Sequence, residues 1–203
     1  MKTELQQKLL NKYPQLFTQD RKIYIGEKSV KEEVQELLDQ KELVTPIQFG
    51  LECGNGWFML LDELMGEITN HLTNENRNRD NEFKYKWMRD LSFALRIKTS
   101  AKQKRLRAIG EWIYKKAPKG KPHISVQVSQ IKEKFGGLCF YYNGGDNKIS
   151  GMVYLAESLS YRICEQCGTT LNVGQTSGWI YTCCWDCLNK NERAKDLSWK
   201  LRE

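Results

Sequence analysis

Histidine is scarce in this chain: His71 and His123 are the only two in 203 residues. Histidine is the side chain that most readily gives and takes protons at neutral pH, so acid–base and nucleophile-activating roles have few candidates. Long apolar runs are missing as well. The longest, WFMLL at Trp57–Leu61, is far too short to span a bilayer, and the opening MKTELQQKLL lacks the apolar core of a signal peptide. Neither a phosphate-cradling glycine motif nor a nucleophile elbow occurs. These absences set the expectation of a soluble, cytoplasmic protein with no membrane partner. The length suits one domain with a small appended module.

Acidic residues are in short supply in only one place. The net charge is +7, and between Lys98 and Lys121 nine basic residues face a single acid, Glu111. That stretch carries +8 and leaves 23 basic and 24 acidic residues elsewhere, a balance of −1. Its members Lys98, Lys102, Lys104, Arg105, Arg107, Lys115 and Lys116 are interleaved with Trp112 and Tyr114. Clustered cations release counterions on meeting phosphates and aromatic faces stack on bases, so the segment is a candidate site for nucleic acid or a nucleotide. A solvated helical face followed by a lysine-rich loop is the alternative.

The first half of the chain reads as mainly helical. Ser29-Val30-Lys31-Glu32 is a capping box opening a helix to about Gln40, with Val34, Leu37 and Leu38 on one face. FGLECGNGW, Phe49–Trp57, is a glycine-rich loop, after which Trp57, Leu61, Leu64, Ile68 and Leu72 recur at helical spacing. NENRNRDNE, Asn74–Glu82, is polar enough to predict an exposed connection, and Phe83, Trp87, Leu91 and Ala94 restart the helical period. His71 and the acids Asp62, Glu63 and Glu67 fall on what reads as a solvated face. From His123 the period changes to two. Ile124–Tyr142 predicts a β-hairpin turning through Lys132–Gly137, followed by a helix with Ile149, Met152, Val153, Ala156, Ser160 and Ile163 on its inner stripe.

Seven cysteines are present, and five of them fall in CEQCGTTLNVGQTSGWIYTCCWDC, Cys164 to Cys187. Cys164-x2-Cys167 and Cys184-x2-Cys187 are separated by sixteen residues, the spacing of a four-cysteine zinc site. Cys183 is then the extra thiol, packed against the hairpin between the pairs. That hairpin, TTLNVGQTSGWIYT, and a following helix through LNKNERAKDLSWK with Leu188, Ala194 and Leu197 give the order of a treble clef. Four thiolates close the coordination shell, so the expected role of the zinc is structural. The zinc deaminase signature is absent, because neither histidine begins H-x-E.

An enzymatic alternative starts from Cys53, whose place before a helix N-terminus favours a lowered pKa. A base for it is hard to find: His71 lies some four turns along the following helix, and His123 stands at a strand start. Lys132 and Lys134 flank a turn that Gly136 and Gly137 keep free of side chains, a place where a ligand or another backbone can come close. Two glycines that simply make the turn are the alternative.

FGLECGNGW, QVSQIKEKFGGLCFYY, the helix containing Ala156-Glu157 and CEQCG…GWIYTCCWDC together resemble a group of small uncharacterised proteins of phages and bacteria. That group shares an ECG-x-GW loop, a KEKFGG-type hairpin and a terminal cysteine-pair module. Cys139 stands where the group is expected to carry an arginine, and the basic insert Lys98–Lys121 is outside the shared pattern. The resemblance implies a phage or prophage setting and no particular chemistry.

The expectation is therefore an α+β protein, with a mainly helical N-terminal part, a central hairpin and helix, and a treble-clef or zinc-ribbon-like module. Residues 1–160 form the body and 161–203 the module. Its function is expected to be non-enzymatic: holding a phosphate-bearing ligand, nucleic acid or a nucleotide signal, to counter host defence, with binding to a host protein as the alternative.

Overall fold

A computed structural model of the protein describes residues 1–17, 47, 50–94, 101, 104, 105, 108, 109, 112, 122–192 and 197–202. The chain divides into two compact units, Met1–Thr69 with Val126–Glu203, and Asn70–Ser125. The cysteine-rich end thus falls in the same unit as the N-terminal helix and the hairpin. The expected division at residue 160 does not coincide with this one.

Helix α1, Thr3–Lys12, buries Gln6, Leu9 and Leu10. A 3-10 turn, Pro14–Leu16, follows it and brings Leu16 into the core. A second 3-10 turn, Asn55–Trp57, leads into helix α2, Phe58–Ala94. Leu61, Leu64, Ile68 and Leu72 are buried along α2 as the helical period predicts, with Trp57 buried just before it, and Met65 joins them in the core. Asp62 departs from the solvated face expected of it. Its carboxylate meets Lys12 Nζ at 2.8 Å and accepts a hydrogen bond from Tyr13 Oη at 2.7 Å, so it ties α2 to the end of α1. Glu63 and Glu67 are exposed.

Two further expectations about α2 are corrected. Asn74–Glu82 is not a connection, because the helix runs through it without a break. That stretch contains no glycine or proline to stop a helix, and its polarity reports exposure rather than an end. His71 is buried, not a surface residue. The predicted helix from Ser29 lies outside the described residues.

The hairpin forms as expected, with β1 at Val126–Lys134 and β2 at Gly137–Gly144. Phe135 and Gly136 make a two-residue turn with φ of 52° and 75°, both positive, the geometry that suits the twist of a tight hairpin. A register shift between Val128 and Gln130 leaves Ser129 as an extra residue. The buried set accordingly jumps from Val126 and Val128 to Ile131, and is completed across the ladder by Leu138 and Phe140.

Neither edge of this two-stranded ribbon is left open beside its core. On the β1 side the Glu52 N–H donates to the Ile131 carbonyl at 3.0 Å and the Glu52 carbonyl accepts from the Glu133 N–H at 2.9 Å, a parallel bridge. On the β2 side helix α3, Asn147–Ser160, supplies side-chain acceptors. Ser160 Oγ takes the Leu138 N–H at 2.9 Å and Glu157 Oε1 takes the Phe140 N–H at 2.8 Å. Asp146 caps α3 by accepting from the Lys148 and Ile149 N–H groups. Ile149, Val153, Ala156 and Ser160 form the buried stripe, as predicted, while Met152 and Ile163 are half-buried.

The C-terminal end contains a three-stranded antiparallel sheet in the order β4-β3-β5, with β3 at Val173–Thr176, β4 at Thr182–Cys184 and β5 at Trp199–Leu201. Helix α4, Trp185–Lys190, is only six residues long. The longer helix expected here is therefore corrected. Leu197 and Trp199 do pack on the module's small core, but from beyond the helix, and Ala194 lies outside the described residues. Together these elements make a mixed α+β protein with a cysteine-rich C-terminal module.

Candidate metal centre

The sequence around Cys164 dictates a sharp reversal. The Gly168 N–H returns to the Cys164 carbonyl and the Cys164 N–H donates to the Thr169 carbonyl, both at 2.8 Å. Gly168 has φ +81°, which a side chain would strain. The reversal puts Cys164 and Cys167 on one side of a knuckle. The second pair arrives differently: Cys184 ends β4 and is the N-cap of α4, and Cys187 lies in that helix. This knuckle, hairpin and helix order is the one the treble-clef expectation requires.

The sulfurs of Cys164, Cys167, Cys184 and Cys187 all lie within 4.8 Å of one another, and Cys167 Sγ is 3.8 Å from Cys184 Sγ. A tetrahedron of thiolates with bonds of about 2.3 Å to a central ion has sulfur–sulfur edges of about 3.8 Å. The observed spacing therefore fits a four-thiolate site with little movement. Burial pushes the Cys164 thiol up, but backbone N–H groups of Cys184, Cys167 and Gln166 outweigh it and bring the pKa below its ordinary value. Burial and the neighbouring thiols push Cys187 up. Thiolates this crowded repel one another, and a central cation is what offsets that repulsion.

Cys183, the fifth thiol, is buried among Cys164, Val173, Cys184 and Leu188 and stands outside the sulfur cluster. Its register partner is Gly174 on β3, and its carbonyl accepts from Trp199 Nε1 at 3.1 Å. Burial, and then the nearby thiols, push its pKa up to about 11.

The glycine-rich loop Glu52–Trp57 is built against the knuckle. The Gly54 N–H donates to Glu165 Oε1 at 2.8 Å, the Gly56 N–H to the Glu165 carbonyl at 2.7 Å, and Trp57 Nε1 to the Ile163 carbonyl at 3.1 Å. A Cβ on Gly54 would collide with the Glu165 carbonyl, and one on Gly56 with the Cys164 carbonyl and the Gly168 nitrogen. Both glycines are thus explained by the close approach of two backbones. Glu165 is the residue joining loop and knuckle that sequence reasoning missed. It sits between two cysteines with no pattern of its own, and burial raises its carboxyl pKa although the Gly54 N–H opposes the shift.

Gly136 and Gly137 admit close approach as expected, and the protein's own chain is what approaches. Both are buried. A Cβ on Gly136 would meet Gln175, Ile180 and Thr182 of the module, and one on Gly137 would meet Tyr161. Thr182 Oγ1 donates to the Gly136 carbonyl at 2.5 Å. Lys132 is half-buried with Nζ 5.5 Å from the Tyr141 ring centroid, and the exposed Lys134 lies 5.4 Å from that of Phe135. Cys139, opposite Lys132 in the ladder, is half-buried.

Of the binding residues expected in the basic segment, Lys104, Arg105 and Trp112 are described, in helical conformation and exposed. Lys98, Lys102, Arg107, Lys115 and Lys116 lie outside the described residues. The segment belongs to the Asn70–Ser125 unit, where His123 Nε2 lies 3.3 Å from Asp80 Oδ1. Cys53 is buried, and desolvation pushes its thiol up to about 12, with the Glu165 carboxylate adding to the rise. This environment favours a neutral thiol, the opposite of the lowered pKa that the nucleophile alternative needs. Among the described residues no helix is long and apolar enough to cross a membrane.

Comparison of the chain with protein-family models, curated proteins and solved structures finds no match.

Proposed function

We propose that the protein is a non-enzymatic, zinc-stabilised binding protein whose ligand carries phosphate, nucleic acid before a free nucleotide. The spacing of the four cysteine sulfurs carries the zinc assignment. Thiolates select zinc among the common divalent ions, and four of them leave no open position for a substrate water. The ligand assignment rests on the +8 segment between Lys98 and Lys121, in which Lys104, Arg105 and Trp112 are exposed. A charge surplus confined to one segment concentrates counterion release there. The resemblance to phage and bacterial proteins supports reading the binding as interference with host defence, if the chain is phage-encoded.

Native mass spectrometry of the purified protein, with binding of a labelled oligonucleotide across a salt series, tests both parts. The expected results are one zinc per chain and an affinity that falls steeply with salt. A metal-free folded protein removes the first assignment, and salt-independent or absent binding removes the second.

A second reading, a protein-binding adaptor, is favoured by one observation. Tyr154, Leu155 and Leu159 form an exposed apolar stripe on the outer side of α3. Capture of a stoichiometric protein partner that survives nuclease treatment, by wild type and not by a Leu155→Glu variant, would favour it.

A further inference from the structure

The module carries a groove of its own, apart from the sulfur cluster. It has a volume of about 720 Å³ and is bounded by the paired ends of β3 and β5, including Gln175, Ser177, Ser198, Lys200 and Arg202. Lys200 lies opposite Gln175 in the ladder, and the Arg202 N–H continues the pairing to the Val173 carbonyl. Alternation along a strand therefore turns Lys200 and Arg202 to the same face. Both charged residues lining the groove are positive, and among the described residues no carboxylate lines it.

Arg202 is held in place rather than loose. Its guanidinium lies 4.7 Å from the centroid of the Tyr161 ring, and Nη1 donates to Gln175 Oε1 at 3.4 Å. Gln175 Nε2 in turn donates to Thr182 Oγ1 at 3.1 Å, and that hydroxyl donates to the Gly136 carbonyl of the hairpin turn. A chain of hydrogen bonds thus runs from the groove to the hairpin turn. A guanidinium has five donors in a fixed fork, so one bond to Gln175 leaves most of it able to meet an anion without further loss of side-chain freedom.

The geometry points to a binding site for single-stranded nucleic acid on this groove, with Lys200 and Arg202 contacting successive phosphates. Two residues along a strand advance about 6.8 Å, comparable with the separation of neighbouring phosphates in an extended single strand. Ser177 and Ser198 supply hydroxyls beside that path. The exposed Trp179 stands two residues beyond Ser177 in the turn between β3 and β4, where an unstacked base can lie on it. The inference rests on the phosphate-ligand reading above and adds to it a contact surface on the cysteine module.

The test is fluorescence anisotropy of labelled oligo-dT against the zinc-loaded full chain over a salt series. Variants are Lys200→Ala with Arg202→Ala, the single change Lys200→Glu, a charge-matched control of Lys8→Ala with Lys148→Ala, and Lys104→Ala with Arg105→Ala in the basic segment. For the groove pair we expect affinity weakened about tenfold and a salt slope shallower by about 1.4, from roughly 0.7 per lost phosphate contact on a single strand. Lys200→Glu, whose side chain is exposed, gives the same direction if the pair fails to fold. Wild-type affinity in both groove variants, or an equal loss in the control pair, overturns the inference. If the groove variants bind normally while the Lys104/Arg105 pair is weakened, the phosphate reading stands without this site. If wild type does not bind at all, both fall together.

Discussion

Gly56 shows how much can hang on one missing methyl group. Its backbone N–H bonds to the Glu165 carbonyl, and a Cβ there would run into the carbonyl of Cys164 and the nitrogen of Gly168. Backbone cannot swing aside as a flexible side chain can. Gly56→Ala is therefore expected to destabilise the protein by about 3 kcal/mol, the upper part of the usual overpacking range, seen as a lower urea midpoint with the metal bound. Gly151→Ala is the counter-case, since a Cβ at that helical position meets nothing. It should leave the midpoint unchanged or slightly raised. The thiols separate in the same way. Cys183→Ser should keep one metal ion per chain, because its sulfur lies outside the cluster, whereas Cys184→Ser should lose it. Equal metal content in the two variants would contradict the assignment of the spare cysteine.

Among the elements, those whose signal is local were legible in the sequence and those made by tertiary pairing were not. The apolar stripes of α2 and α3, the alternation of β1 and β2 and the two cysteine pairs could all be read from spacing alone. Strand β5 could not, because three residues, Trp199–Leu201, carry no period and become a strand only by pairing with β3. The bridge from Glu52 to β1 is a single residue and leaves no trace in composition. The latch between α1 and α2 was missed for a related reason: a carboxylate on a polar helical face looks solvated until Lys12 and Tyr13 are placed beside it. Burial pushes the Asp62 pKa up, but the hydrogen bonds from Lys12 and Tyr13 outweigh it and leave the carboxyl below its ordinary value. A carboxyl depressed on folding adds stability that is complete above the unfolded pKa, about 3.9, and is lost as pH falls through the folded value. Asp62→Asn should thus lower the thermal midpoint at pH 7 and show a shrinking difference from wild type below about pH 4. A gap that stays constant across that window would rule the latch out as an ionic one.

At the scale of the larger unit, motifs far apart in sequence hold one another. Glu52 bonds to Ile131 and Glu133 of the hairpin; Gly54, Gly56 and Trp57 bond to the stretch from Ile163 to Glu165; and Gly136 bonds to Thr182. Ser160 and Glu157 close the circuit by capping β2. The knuckle formed by Cys164 and Cys167 is thus a wall against which the loop is packed, so a metal held there would bear on more than the module at 161–203. Structural zinc contributes about 10 to 16 kcal/mol of binding free energy, while a domain is stable by about 5 to 15 kcal/mol in all. If the cysteines hold zinc, removing it frees the knuckle to which Gly54, Gly56 and Trp57 are bonded, and the release is expected to spread through the loop to the hairpin edge that Glu52 bridges. Hydrogen exchange before and after treatment with a strong chelator reads this directly. The Glu52, Gly56 and Glu133 amides should lose protection in one step with the Glu165 amide, whose N–H bonds to the Thr182 carbonyl at 3.0 Å. If Glu52 and Glu133 stay protected while Glu165 exchanges freely, the metal holds its own module alone and the hairpin stands without it.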